Sequence, residues 1–87
     1  VPPDPRPDWV TYRRREIGHR IARWRASRRW SAYDLAAASG VSRLSIIRAE
    51  HGTHSTGIDV LLQLAEAFDV TVGQLLDEEP PQPPARG

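Results

Sequence analysis

Six consecutive residues, Arg43-Leu44-Ser45-Ile46-Ile47-Arg48, set two guanidinium groups around three aliphatic side chains. An arginine offers a rigid fork of donors that fits the O6/N7 pair of guanine, and a branched aliphatic suits the methyl group of thymine. The chemistry on offer is the reading of base edges. Nearby, Ser42, Thr53, His54, Ser55 and Thr56 supply short polar groups suited to phosphate oxygens, and Tyr33 supplies a phenol upstream. Other chemistries lack their parts. His51 and His54 stand three apart around Gly52, with no cysteine and no third ligand nearby in sequence, so no metal site is expected. There is no Ser/His/Asp arrangement, no glycine-rich phosphate loop and no isolated carboxylate pair. Neither an enzyme nor a cofactor is expected.

The charge distribution agrees with a polyanionic partner. Residues 9–57 carry ten arginines against Glu16, Asp34 and Glu50, a balance of +7. Residues 58–79 carry Asp59, Glu66, Asp69, Asp77, Glu78 and Glu79 with no base, a balance of −6. The two ends of the domain should therefore face different things, the basic end a polyanion. A solvated charged surface is the plainer alternative. For the run Arg13-Arg14-Arg15, a solvated helix face is favoured over a phosphate-gripping arm.

Eighty-seven residues suffice for one domain with one core. All eight prolines lie at the ends, at 2, 3, 5, 7, 80, 81, 83 and 84, which leaves a proline-free middle as packed helices require. Residues 1–8 and 79–87 are expected to be disordered Pro-rich arms around a domain at 9–78. The absence of cysteine fits a reducing compartment, and no apolar run reaches the ~20 residues that span a bilayer. A cytoplasmic protein is expected. The chain begins at Val1 and has no methionine, which reads as a processed or trimmed product.

The middle divides into five helical segments, an all-α fold. Asp8 or Thr11 can cap the first, running to about Ser27, with Trp9, Ile17, Ile21 and Trp24 on its core face. Ser31 to Asp34 reads as a capping box opening the second helix through Ser39. Gly40 supplies the left-handed stop, Ser42 caps the third helix to about His51, and Gly52 ends it. Thr56 to Asp59 reads as a second capping box, opening a helix with Leu61, Leu64, Ala65 and Phe68 inward. Thr71 to Gln74 is a third, opening a short helix with Leu75 and Leu76.

Leu35-Ala36, Gly40-Val41 and Ile46 together form a helix-turn-helix pattern from the second and third helices. Gly40 takes the positive φ of the turn, and Leu35, Val41 and Ile46 seal the pair. At 100° per residue, Ser42, Ile46, Ala49 and Glu50 cluster inward on the third helix, and Leu44, Ile47, Arg48 and His51 point away. With Arg43 at the leading end, the base-reading set is Arg43, Leu44, Ile47 and Arg48. Two alternatives stay open: both arginines hold phosphate only, or Leu44 and Ile47 form a protein-contact patch. The inward carboxylate of Glu50 needs a partner, and Arg25 has the same offset from Ile21 as Glu50 from Ile46. A structural ion pair is expected, two partly exposed charges that never meet being the plainer alternative.

The pieces IGHRIARWR, DLAAASGVSRLSIIRAEHG and LLQLAEAFDVTVGQLL, between Ile17 and Leu76, resemble the XRE family of phage repressor/Cro-type helix-turn-helix domains. The resemblance implies a five-helix repressor-type bundle with the third helix in the DNA major groove, the Arg25–Glu50 pair, and dimers on two-fold symmetric operators. The chain departs from the family pattern at three places. Ala32 stands where a backbone-binding Gln is common. Ala49 replaces a larger apolar residue, leaving space for neighbouring tryptophans to fill, and Thr53-His54-Ser55 lacks basic residues.

The leading functional expectation is sequence-specific binding of double-stranded DNA by a transcriptional regulator, a repressor more than an activator. It acts as a homodimer through the end of the fourth helix and the fifth, where Val72, Leu75 and Leu76 offer apolar surface. The alternative is an antitoxin-type protein-interaction module that also binds its operator, with a protein partner held by the acidic helices and the Pro-rich tail. A general nucleic-acid binder fits worse, because such proteins rely on charge and stacking rather than outward aliphatics.

Overall fold

Five helices, α1 (Asp8–Ser27), α2 (Ala32–Ser39), α3 (Arg43–His51), α4 (Ile58–Phe68) and α5 (Val72–Asp77), make up the computed structural model, which describes residues 6–81. Among the described residues there is no strand, and no helix is long and apolar enough to cross a membrane. The chain is all-α, as its periodicity predicts. Helix α1 packs on α3 and α5, α2 on α3 and α4, and α4 on α5. Ile21, Trp24, Leu35, Val41, Ile46, Ala49, Leu64, Ala65, Phe68 and Leu75 form the core. Trp30 stacks on Phe68 with ring centroids 5.7 Å apart, and Trp24 tilts onto the same ring at 6.1 Å.

Local chemistry sets most helix ends where the sequence places them. The boxes at Ser31/Asp34 and Thr71/Gln74 are both closed, each side chain meeting the other residue's backbone N–H. Gly40 and Gly52 end α2 and α3 at φ 77° and 66°, in the left-handed region that costs glycine nothing. Two expected caps are corrected. Pro7 occupies the N-cap of α1, so neither Asp8 nor Thr11 caps it, and Asp8 is already helical. Gly57, not Thr56, is the N-cap of α4, so the box at Thr56/Asp59 does not form.

Three further expectations change. Trp9 is not a core residue: it is 70% exposed. Leu75 is wholly buried and cannot serve a dimer surface; it closes the core beneath α4 and α1. Glu79, assigned to a disordered tail, is held: it accepts hydrogen bonds from Arg20 and, at 2.7 Å, from Arg23, while Trp24 Nε1 donates to the Glu78 carbonyl at 3.1 Å. Residues 1–5 and 82–87 of the expected arms lie outside the described residues.

Candidate nucleic-acid interface

The turn between α2 and α3 is braced by short side chains. Ser39 Oγ donates to the Leu35 carbonyl at 2.7 Å and accepts from the Val41 N–H at 3.1 Å. Ser42 Oγ accepts from the Ser45 N–H at 3.2 Å, capping α3, and donates to Ser45 Oγ at 2.9 Å. Buried Leu35, Val41 and Ile46 then fix the two helices together, the role their pattern predicts. Ser42, expected at phosphate, is exposed and caps α3 with the same hydroxyl. What the first turn of α3 leaves open to an anion is its backbone N–H groups.

Outward from this frame, Arg43 and Tyr33 come together. The Arg43 guanidinium lies 4.3 Å from the centroid of the Tyr33 ring, a cation–π contact that holds the fork near the start of α3. Leu44 is 55% exposed beside it. Arg48 is exposed and shares a shallow cleft with Ser45, His54, Ser55 and Thr56. Ile47 is half-buried. Thr53 Oγ1 and His54 Nδ1 lie 3.0 Å apart on the exposed loop. Arg43, Leu44, Arg48, Tyr33 and the 53–56 loop thus share one surface.

Behind α3, Arg25 makes a two-pronged bond to Glu50: Nε to Oε2 at 2.7 Å and Nη2 to Oε1 at 2.9 Å, with Nη1 donating to the Trp30 carbonyl at 2.9 Å. The Glu50 side chain is 10% exposed and that of Arg25 25%. The paired carboxylate raises the Arg25 guanidinium further above its ordinary value, mainly through the hydrogen bond. The fork on α1 thereby fixes the tilt of α3 (a positioning role, with no contact to the outer face).

Sequence reasoning missed two further clamps between α1 and α3. Arg14 Nε donates to the Gly52 carbonyl at 2.7 Å, which ties α1 to the C-terminal end of α3. At Gly18 the helices nearly touch: a Cβ there would stand 2.5 Å from the carbonyl oxygens of Ala49 and Glu50. A glycine inside a strong helical pattern was the available signal; nothing in the spacing marked Arg14.

The basic half of the chain is less available than its charge implies. Arg13 pairs with Glu16 and with Asp77. Arg20 and Arg23 pair with Glu79, and Arg20 Nη1 also donates to the Leu76 carbonyl at 2.6 Å. Arg28 donates to the Phe68 carbonyl at the end of α4, where a cation is favoured. So Arg13 and Arg14 are structural groups, not a solvated face, and two carboxylates of the acidic end, Asp77 and Glu79, neutralise arginines of α1 within the molecule. Arg43 and Arg48 on α3 meet no carboxylate among the described residues.

A five-helix bundle whose braced turn presents one helix outward, with unneutralised arginines on it, defines a helix-turn-helix DNA-binding domain. A family model described as Helix-turn-helix (HTH_3) matches residues 21–75, and the chain belongs to that family, the XRE-type DNA-binding transcription regulators. It is a regulatory family rather than a catalytic one. No curated protein and no solved structure matches the chain.

Proposed function

We propose that the chain is a sequence-specific repressor that binds a two-fold symmetric operator as a homodimer, with α3 in the major groove. One observation carries this reading: α3 keeps both its arginines free of carboxylates, while five of the six on α1, all but exposed Arg15, are bound within the fold. Arg43 and Arg48 are the base readers, each facing a guanine, and Leu44 meets a thymine methyl group. Ile47 contributes at the edge of the contact. Tyr33, Thr53, His54, Ser55 and Thr56, with the N–H groups after Ser42, grip phosphates and set the register. For the dimer, the support moves from α5 to α4. Ile58 and Leu62, 66% and 53% exposed, lie one turn apart there, and Val72 and Leu76 are half-buried behind them in sequence.

Selection of bound sites from random DNA tests the reading. The expected result is a palindromic site whose half-sites contain guanine. Recovery of a single asymmetric half-site overturns the dimer, and recovery of unrelated sequences overturns specific recognition.

A further inference from the structure

Ala49 occupies a core position, and the tryptophans expected to fill the space beside it do not. Trp24 lies against Phe68, and Trp9 is turned largely to solvent. What remains is a cleft of about 310 Å³ opening beside the N-terminal half of α1. Ile21 and Ala49, both buried, form its floor with Ile17 and Leu61, and exposed Trp9 forms part of its rim. That volume lies at the small end of the roughly 300–1,000 Å³ typical of small-molecule sites. It suits a fused aromatic ring pair better than a helix.

Two arginines are among the residues that line this apolar space, Arg13 and Arg14. Arg13 is neutralised by Glu16 and Asp77. Arg14 is different: Nε holds the Gly52 carbonyl, and no carboxylate among the described residues pairs with it. A half-buried, unneutralised fork beside an apolar floor complements a flat molecule that carries one anionic group.

We propose that the cleft binds a small aromatic carboxylate, its ring on the Ile21–Ala49 floor and its carboxylate on Arg14, and that occupancy changes affinity for DNA. The second half rests on the DNA-binding reading above. Its physical basis is shared parts. Ser55 and Thr56 line the cleft and belong to the loop assigned to phosphate. Ala49 belongs to α3, and the same Arg14 that meets the anion anchors the end of α3 through Gly52. A ligand wedged there shifts the loop and α3 relative to α1, so it binds two arrangements unequally, which coupling requires.

Titration of the full chain with 1-naphthoate, followed by amide and indole NMR signals, tests the site, with neutral 1-naphthamide as the comparison. The Trp9 indole and the Ser55 and Thr56 amides should move, and the Trp30 indole should not. The carboxylate should bind about fivefold more tightly, as for a partly exposed charge pair. Arg14→Gln should erase that preference and Arg14→Lys should keep it. Ala49→Leu should fill the cleft and abolish binding; if that variant does not fold, the two Arg14 variants decide. Equal affinity for acid and amide, or shifts centred on Trp30, overturns the site. So do shifts of the cleft signals with protein concentration alone, which would assign it to a second copy. In the DNA arm, saturating 1-naphthoate should change the affinity for the selected operator about fivefold or more, and an unchanged affinity overturns the coupling. If the probe-free protein binds no DNA, the DNA-binding reading fails, and the NMR arm still judges the cleft by itself.

Discussion

Arg48 and Arg43 are both on the outer face of α3, but their surroundings separate them. Arg43 is propped on Tyr33, whereas Arg48, in the last turn of α3, lies beside the 54–56 loop. Arg48→Ala should cost about 1–3 kcal/mol on the best operator and relax the preference at one base position. Affinity for operator and for random DNA across a salt series checks this. An equal loss on both would make Arg48 a phosphate ligand and leave base reading to Arg43. Inside the fold, the Arg25–Glu50 pair is deep enough that a lone survivor is left without its counter-charge. Arg25→Ala or Glu50→Ala should each lose ~3 kcal/mol, the double variant far less than the sum. Thermal melting of the three variants measures the coupling, and strictly additive losses would rule it out.

At the scale of elements, the last residue of α5 and the segment after it behave as a strap across α1. Asp77 meets Arg13, Glu79 meets Arg20 and Arg23, and the Glu78 carbonyl accepts from the Trp24 indole. The Arg23 hydrogen bond, with help from Arg20, holds the Glu79 carboxyl below its usual value of 4.5, and Glu79 in turn raises Arg23. A depressed carboxyl contributes to the folded strap above its unfolded value and loses that contribution as pH falls through its lowered one. Release is therefore expected in acid, below pH 4.5, not near neutrality. Salt should act in the same direction, since about 1 M shortens the screening length to ~3 Å. The Trp24 indole N–H signal should report both changes, and Glu79→Gln should weaken them. A signal unmoved by acid and salt would show that the strap is held by apolar packing alone. Since the Glu79 side chain is 55% exposed and lies outside every helix, the helices themselves should stay folded through the transition.

For the whole molecule, the question is which surfaces remain after folding has used the rest. Leu75 is inside, and Asp77 and Glu79 of the acidic end are turned onto α1. Ile58 and Leu62 on α4 are the large apolar pair left uncovered on that side. Leu62→Glu should shift the free protein toward monomer and cut affinity for a full palindrome while leaving a single half-site unaffected. Sedimentation with both DNAs measures this. A single protomer bound to the full palindrome by the unaltered chain would remove the dimer from the scheme.

Much of the local structure follows from nearest-neighbour chemistry. Ser31 with Asp34, Thr71 with Gln74, Ser42, Gly40 and Gly52 fix helix ends because each satisfies backbone groups within four residues of itself. The inward and outward faces of α3 follow from helical periodicity, so Arg43, Leu44 and Arg48 were legible as one surface, and matched offsets were enough to pair Arg25 with Glu50. Tertiary structure decided what no local rule reaches. Gly57 took the cap from Thr56, and Trp9 was left exposed outside the core. Arg13, Arg14, Arg20 and Arg23 were drawn to partners 38–64 residues away, so a sum of charge along the chain overstated what faces outward. The gap at Ala49 stayed open because its neighbours are fixed by other contacts. A side chain's type and period are properties of its segment, but its partner depends on which segments the core brings together.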